Sequence, residues 1–343
     1  MIDCSNSNTK STKTPGEKKE ALNILVTGGA GYIGAHTVRV LREAGYEVVI
    51  FDNFSRGHRE AVQGFTVVEG DIKDRQIVCQ VCRKYRIKAA MHFAAHSQVG
   101  ESVEKPALYY ENNVIGGLAL LEGLLEGGVK RLVFSSSAAV YGEPQQVPID
   151  ENHPLKPQNP YGESKAVLER ALRYYRHAYG MQSVSLRYFN AAGASASGET
   201  GENHQPETHL IPLVLQAVLG QRDKLVVFGS DYSTPDGTAV RDYIHVDDLA
   251  HAHLLALEAL REGRAGEVYN LGNGRGYSVL KVLKTVEKVT GRPVPFEMGP
   301  RRAGDPAVLV ASAEKAGREL GWKPQKPDLT EIVSDAWRWH RKG

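Results

Sequence analysis

The sequence predicts an α/β fold: a doubly wound parallel sheet followed by a smaller C-terminal α/β region. Three observations carry that prediction. Short apolar runs alternate with helical patterns along the first half of the chain. The first run opens directly into a turn with regularly spaced glycines. Several later runs end in small or polar residues. Strands that are apolar at nearly every position are covered on both faces, as parallel strands between two helical layers are.

The 343 residues are 41% hydrophobic and 24% charged, which suits one large domain or two closely joined ones. A net charge of +2 argues against bulk attraction to nucleic acid or to a membrane surface. No apolar run approaches the ~18 residues of a spanning helix. Residues 1–20 are polar and include Pro15 and Gly16, which excludes a signal peptide; a disordered leader is expected there. Three cysteines make no disulfide framework and suit a reducing cytoplasm. Cys79 and Cys82 form a C-x-x-C inside an expected helix, Arg75 to Tyr85, and no second pair follows. His251 and His253 stand two apart in a helical pattern and diverge. No metal site is expected.

In chain order, Leu22 to Thr27 is the first expected strand, and Gly28-Gly29-Ala30-Gly31-Tyr32-Ile33-Gly34 follows at once. The spacing G-x-x-G-x-x-G is a variant of the dinucleotide fingerprint of a Rossmann-type sheet. Gly28 allows the tight turn, Gly31 lets backbone approach a pyrophosphate, and Gly34 lets helix pack on strand. A helix from Ile33 to Ala44 then presents its first amides to phosphate. The second strand, Glu47 to Phe51, ends at Asp52. An acid there bonds an adenosine ribose 2′-hydroxyl and repels a 2′-phosphate, which favours NAD over NADP.

The alternation continues. Strand Phe65 to Glu69 runs into Gly70-Asp71-Ile72, where an adenine can rest. Strand Lys88 to Phe93 ends in Ala94-Ala95-His96-Ser97, small residues that let backbone lie close to a cofactor. A long helix is expected from Ala107 to Glu126, carrying Asn112 and Asn113, before strand Arg131 to Phe134 and Ser135-Ser136-Ser137. Helix Tyr161 to Tyr179 and strand Ser183 to Arg187 lead into Tyr188-Phe189-Asn190. Residues 21–190 thus read as an NAD-binding domain. Residues 191–343 read mainly as a substrate-binding region, with some return to the first sheet.

Tyr161 and Lys165 are four apart and share one face of their helix. A phenol with a pKa near ~10 is a poor base. A cation ~6 Å away at an effective dielectric of ~20 favours its ionised form by about 2.8 kcal/mol, or roughly two pKa units. A nicotinamide cation would add a similar shift, making Tyr161 a general base for a hydroxyl proton. Ser137 ends a strand on the same carboxyl edge, where such sheets bind ligands.

Beyond Ala194 the pattern loosens, and residues 195–208 read as a loop. Two polar clusters follow, Arg241-Asp242-Tyr243-Ile244-His245 and Arg301-Arg302-Ala303-Gly304-Asp305. Arginine suits bidentate phosphate binding, and a nearby Asp suits ribose hydroxyls.

Together these pieces resemble the UDP-glucose 4-epimerases (UDP-galactose 4-epimerases) of the extended short-chain dehydrogenase/reductase family, from Leu22 to about Trp339. The most specific are Thr27 to Gly34, Val99-Gly100-Glu101-Ser102, Ser135 to Gly142, Tyr161 to Lys165, Arg187 to Asn190, Val240 to Val246 and Arg301 to Asp305. The resemblance implies that Tyr161 takes the sugar 4-hydroxyl proton while C4 gives its hydride to NAD. It implies that Lys165 lowers the phenol pKa and binds the nicotinamide ribose, and that Ser137 orients the hydroxyl. The implied cofactor contacts are Gly28, Gly31, Tyr32, Ile33, Gly34, Asp52, Asn53, Phe54, Ser55, Arg56, Gly57, Asp71, Ile72, Phe93, Ala94, Ala95, His96, Ser97, Asn113 and Phe189, with the catalytic three. The implied UDP-sugar contacts are Asn190, Leu210, Val226, Phe228, Arg241, Arg302 and Asp305, besides Ser137 and Tyr161. Leu309, four past Asp305, corresponds to a position bordering the sugar 2-substituent, where a smaller residue than tyrosine is associated with N-acetylated sugars. Some members carry a lysine where Ser97 stands, so one pyrophosphate contact is softened here. A homodimer through the helices near Ala107–Glu126 and Tyr161–Tyr179 is implied too.

Related dehydratases place Asp-Glu after the catalytic serine or threonine, and related decarboxylases keep a Glu at the second position. Ala138 and Ala139 stand there in this chain and exchange no protons. Simple 4-epimerisation is therefore expected, on UDP-glucose and UDP-galactose and, by the Leu309 reading, on their N-acetylated counterparts. A 4-epimerase of UDP-pentoses or UDP-uronates, and a non-catalytic NAD or nucleotide-sugar sensor, stay open as alternatives.

Overall fold

The computed structural model describes residues 22–302 and 305–342. The expected leader, and Ala303-Gly304 of the arginine segment, lie outside the described residues. A seven-stranded parallel sheet forms the larger layer. Its strands are β1 (Asn23–Thr27), β2 (Glu47–Asp52), β3 (Thr66–Glu69), β4 (Ala89–His92), β5 (Arg131–Ser135), β6 (Gln182–Tyr188) and, from far along the chain, β10 (Glu267–Leu271). Their order is β10-β6-β5-β4-β1-β2-β3, so the order reverses beside β1, where Rossmann-type sheets open a ligand crevice. β1 to β6 each overlap an expected strand.

Helices cover both faces. On one, α1 (Tyr32–Glu43) packs Val38 and Leu41 with Leu249, Ala252 and Ala256 of α8 (Val246–Arg261) over Ile24, Val26 and Ile50. On the other lie α2 (Arg75–Lys84), α5 (Gly116–Glu126) and α6 (Pro160–Tyr179), which bury Val78, Leu120, Leu124, Leu168 and Leu172 against Leu25, Phe51 and Phe134. β1, β4 and β5 are enclosed and apolar at nearly every position, whereas β6 also buries Ser183, Ser185 and Arg187 and the edge strand β3 stays partly exposed.

Between β4 and β5 come α3 (Val99–Glu104), α4 (Pro106–Tyr109), one π turn (Tyr110–Ile115) and then α5. The single helix expected over Ala107–Glu126 is thus interrupted by the wider turn, a feature that concentrates at functional sites. α6 starts on Pro160 behind Asn159, whose side chain accepts from the Gly162 amide, and ends on Gly180 at φ 70°.

The rest of the chain is more ordered than a loosened pattern suggests. β7 (Asn190–Ala192) pairs with β9 (Val240–His245), which also pairs with β11 (Gly276–Ser278) and β13 (Val308–Leu309). β8 (Leu225–Phe228) pairs with β12 (Phe296–Gly299). α7 (Leu210–Val218), α9 (Val279–Thr290) and α11 (Leu329–His340) enclose a separate apolar core, and α10 (Glu314–Leu320) joins the first one. No helix among the described residues is long and apolar enough to cross a membrane.

Candidate active site

The carboxyl ends of β1, β2 and β4 border a cleft. It is lined by Gly28, Gly31, Asp52, Asn53, Ser55, Arg56, Gly57, Ile72, the Phe93–His96 turn and Asn112. The glycine turn is built for close approach. Gly28 stands at φ +71°, and a Cβ on it would meet the Ala94 nitrogen at 2.4 Å. A Cβ on Gly34 would lie 2.3 Å from the Gly28 carbonyl oxygen. α1 begins at Gly31 with no side-chain cap, so its first amides are left for a phosphate. Asp52 is buried, and its carboxylate accepts from the Ala30 and Phe54 amides at 2.9 Å each. Burial raises its pKa and the two amides oppose the rise. The residues therefore fit a dinucleotide: a cradle free of side chains, an uncapped helix start and an acid at the second strand end.

Other implied cofactor residues stand behind this lining. Tyr32 donates its hydroxyl to the Gly193 carbonyl at 2.7 Å. Ile33 and Phe54 pack on the core, and the Arg59 guanidinium lies 4.0 Å from the Phe54 ring. Asp71 accepts from the Lys73 amide and the Asn53 side chain. Ser97 is exposed, and Phe189 is buried beside Tyr141 and Val140. Asn113 exchanges two hydrogen bonds with the His96 backbone and donates to Ser164 Oγ at 3.0 Å. It pins the β4 turn to α6, while its neighbour Asn112 lines the cleft. The π turn sets these two on different sides.

Ser137, Tyr161 and Lys165 come together beyond this cleft, all buried. Ser137 begins a short 3-10 turn and accepts from the Ala139 amide at 3.1 Å. Lys165 Nζ donates to the Ser135 carbonyl at 2.8 Å and lies 5.9 Å from the Tyr161 ring centroid. Among the protein's own groups, burial is the larger influence and raises Tyr161, while the neighbouring Ser137 hydroxyl lowers it. Burial also pushes the Lys165 ammonium down to about 7, against the pull of Glu169.

Glu169, one turn beyond Lys165, is a residue the sequence reading missed. It accepts from Ser136 Oγ at 2.5 Å and from Arg187 Nε at 2.9 Å. Arg187 in turn donates to the Tyr141 hydroxyl at 2.9 Å, and Tyr141 to Asn270 Oδ1 at 2.6 Å. The network ties α6 to β5, β6 and β10 behind Tyr161 and Lys165. Its signal in the sequence was the i+4 and i+8 spacing from Lys165 and Tyr161. Glu101 explains the Val99–Ser102 motif: both its oxygens accept from Arg56 Nη2, at 2.9 and 2.8 Å. Tyr109 donates to the same carboxylate at 3.1 Å and stacks edge-on with Tyr161 at 6.5 Å.

On the C-terminal side, Arg241 bonds Asp305, and the Arg302 guanidinium lies 4.6 Å from the half-exposed Phe228 ring. Asn190 is exposed on β7; Val226 lies in β8 and Leu210 starts α7. Leu309 pairs with Arg241 across β13 and β9, and packs against a cluster holding Tyr141, Phe189 and Ala166. Cys79 and Cys82 are free and buried, and burial pushes the Cys82 thiol up to about 12, which leaves it inert. Glu202, His204, Glu207 and His209 converge in the segment read as a loop.

Residues 24–272 match the NAD dependent epimerase/dehydratase family. The chain is 54% identical over 319 residues to the UDP-glucose 4-epimerase of Halalkalibacterium halodurans, covering 93% of this chain and 96% of the relative. It superposes on the crystal structure of UDP-glucose 4-epimerase from Brucella ovis in complex with NAD with a TM-score of 0.91 at 48% identity, covering 92% and 98%. The Bifidobacterium longum enzyme in complex with NAD⁺ and UDP matches with a TM-score of 0.89 at 41% identity, covering 93% and 98%.

Proposed function

The chain belongs to the NAD dependent epimerase/dehydratase family, and from that premise we propose that it interconverts UDP-glucose and UDP-galactose by NAD-dependent 4-epimerisation. The observation that carries this reading is the gathering of Ser137, Tyr161 and Lys165 at the sheet edge, with Ala138 and Ala139 rather than acids after the serine. Tyr161 removes the proton of the sugar 4-hydroxyl. Ser137 orients that hydroxyl. Lys165, supported by Glu169, supplies positive charge that favours the phenolate. Bound NAD would supply the reversible acceptor for the C4 hydride. Gly28, Gly31 and the first amides of α1 would hold its pyrophosphate, and Asp52 its adenosine ribose. The proton kept on Tyr161 goes back to the 4-oxygen once the keto sugar presents its other face, so no net oxidation results. Arg241, Arg302, Asp305 and Phe228 would anchor the UDP, remote from the reacting carbon, which leaves the sugar free to turn.

Three finer readings go with it. Leu309 leaves room for a 2-acetamido group, so the N-acetylated pair is accepted too. Exposed Ile115 and Tyr174, on the π turn and α6, support a homodimer through the helices around 107–126 and 161–179. Free, buried cysteines support a reducing, cytoplasmic setting. The test is turnover of UDP-galactose by the purified protein with no added coenzyme. Tyr161→Phe should cut that rate by ~10²–10⁴ or more while UDP binding persists. A variant with near-normal turnover would remove Tyr161 from the base's role.

A further inference from the structure

The segment between β7 and α7 gathers a cluster of donors that the reaction does not use. Its spacing is Glu202-x-His204-x-x-Glu207-x-His209, and one donor atom from each side chain lies within 4.8 Å of the others. His204 Nδ1 is 3.1 Å from Glu202 Oε1 and 3.9 Å from Glu207 Oε1. His209 Nδ1 is 3.7 Å from Glu207 Oε1 and also contacts Glu202 Oε1. The two carboxylates are almost fully enclosed, with side chains 3% and 4% exposed. Among the described residues neither pairs with a lysine or arginine. The His209 imidazole hydrogen-bonds Glu202 and also lies near Glu207, so two enclosed like charges share it. His204 Nδ1 is enclosed as well, and despite its short distance to Glu202 it has no aligned hydrogen-bond partner. The four side chains thus face one point, where His209 Nδ1 hydrogen-bonds Glu202 Oε1 and Glu207 Oε1 also accepts from the Thr208 and His209 amides at 2.7 and 2.9 Å.

We propose that Glu202, His204, Glu207 and His209 bind a divalent transition cation, zinc by preference, that clamps this segment across the cofactor cleft. Two imidazoles with two carboxylates suit zinc in four-coordination, whereas calcium and magnesium take oxygen alone. Separations of 3.1, 3.7 and 3.9 Å lie around the ~3.4 Å edge of a tetrahedron whose arms are ~2.0–2.1 Å, and the direct His209–Glu202 hydrogen bond opens to that edge when the ion takes the place of its proton. The charge balances once the proton between His209 and Glu202 is released to solvent, since a divalent cation then neutralises two carboxylates beside two neutral imidazoles.

The segment is placed to act as a clamp. Its side chains at 202, 204 and 207 turn toward the cluster, while its backbone carbonyls reach the cofactor side. Arg56 Nη1 donates to the Gln205 carbonyl at 3.1 Å, and Gln98 Nε2 to the Pro206 carbonyl at 2.7 Å. His58 Nε2 lies 2.6 Å from the Asn203 carbonyl. Arg56 lines the cleft and is held by Glu101. At the other end His209 directly precedes α7, and Trp339 of α11 donates to the Glu202 carbonyl at 3.0 Å. One bound ion would therefore join the cleft edge, α7 and α11. The clamp role rests on the NAD reading; the ion site does not.

The experiment uses the full chain, stripped with a chelator and titrated with zinc alone against a chromogenic competitor. One equivalent should bind with a Kd below ~1 µM, and cobalt in its place should give the intense visible bands of a tetrahedral site. A Glu202→Gln/His204→Gln double variant, checked for folding by circular dichroism, should lose at least ~100-fold in zinc affinity. No saturable uptake by the wild-type chain, or equal uptake by the folded variant, overturns the site, and neither result touches the 4-epimerase reading. Resident NAD should leave the stripped protein at least ~10-fold faster than the zinc-loaded one. Equal release rates overturn the clamp.

Discussion

Replacing Lys165 with methionine keeps an unbranched apolar stem and removes the ammonium. Nζ lies 5.9 Å from the Tyr161 ring centroid. At an effective dielectric of ~20 that distance is worth about 2.8 kcal/mol to the phenolate, or roughly two pKa units. Burial opposes either charge alone, raising Tyr161 and pushing Lys165 down to about 7. A phenolate beside an ammonium offsets part of both costs. Without the cation the base forms only at higher pH. The acid limb of the turnover profile should accordingly move up by about two units in Lys165→Met, with its plateau reached later. The substitution also orphans the buried Ser135 carbonyl, a cost of ~1–3 kcal/mol in stability. Thermal melts and retained NAD are therefore recorded beside the rates. A lower plateau with an unmoved acid limb in a folded, NAD-bearing variant would refute the electrostatic role and leave Lys165 only positioning the cofactor.

Two further outcomes follow from contacts around the two ligands. Gly34→Ala would put a Cβ 2.3 Å from the Gly28 carbonyl and displace α1 from the turn, so the protein should purify with much less NAD and lose ~1–3 kcal/mol of stability. Acid denaturation followed by nucleotide assay measures it; a full complement of NAD from the variant would contradict the cradle. Leu309→Tyr should suppress turnover of the N-acetylated pair by ~10–200-fold relative to the glucose and galactose pair. An unchanged ratio of kcat/KM values rejects Leu309 as the gate.

The sheet was legible in the sequence because its central strands are apolar at nearly every position, and because a glycine turn follows the first of them and opens a helix. The family and the NAD-dependent chemistry were legible from motifs at those same strand ends. Other features left weaker marks. The π turn at Tyr110–Ile115 adds its extra residue within one turn and changes no composition, so nothing separated the pinning Asn113 from the cleft-lining Asn112. β13 has only two residues, too few for any period to show. Arg241 and Asp305 are brought together by that strand pairing, over a distance that local patterns do not span. Lys165 was read from its spacing to Tyr161, but how strongly burial opposes its charge depends on the enclosure that tertiary packing creates. The cluster at Glu202–His209 was passed over because its residue spacing matches no common metal motif and lies in a stretch whose composition reads as loop.

The central claim is that the C4 hydrogen leaves the sugar and returns to the same carbon, with no net oxidation and no exchange with water. UDP-galactose carrying deuterium at C4 tests it most directly, incubated with the purified protein and no added coenzyme, with the product examined by NMR and mass spectrometry. The account predicts UDP-glucose that keeps the deuterium at C4. Deuterium washed into solvent, or 4-keto sugar accumulating in place of UDP-glucose, would contradict it.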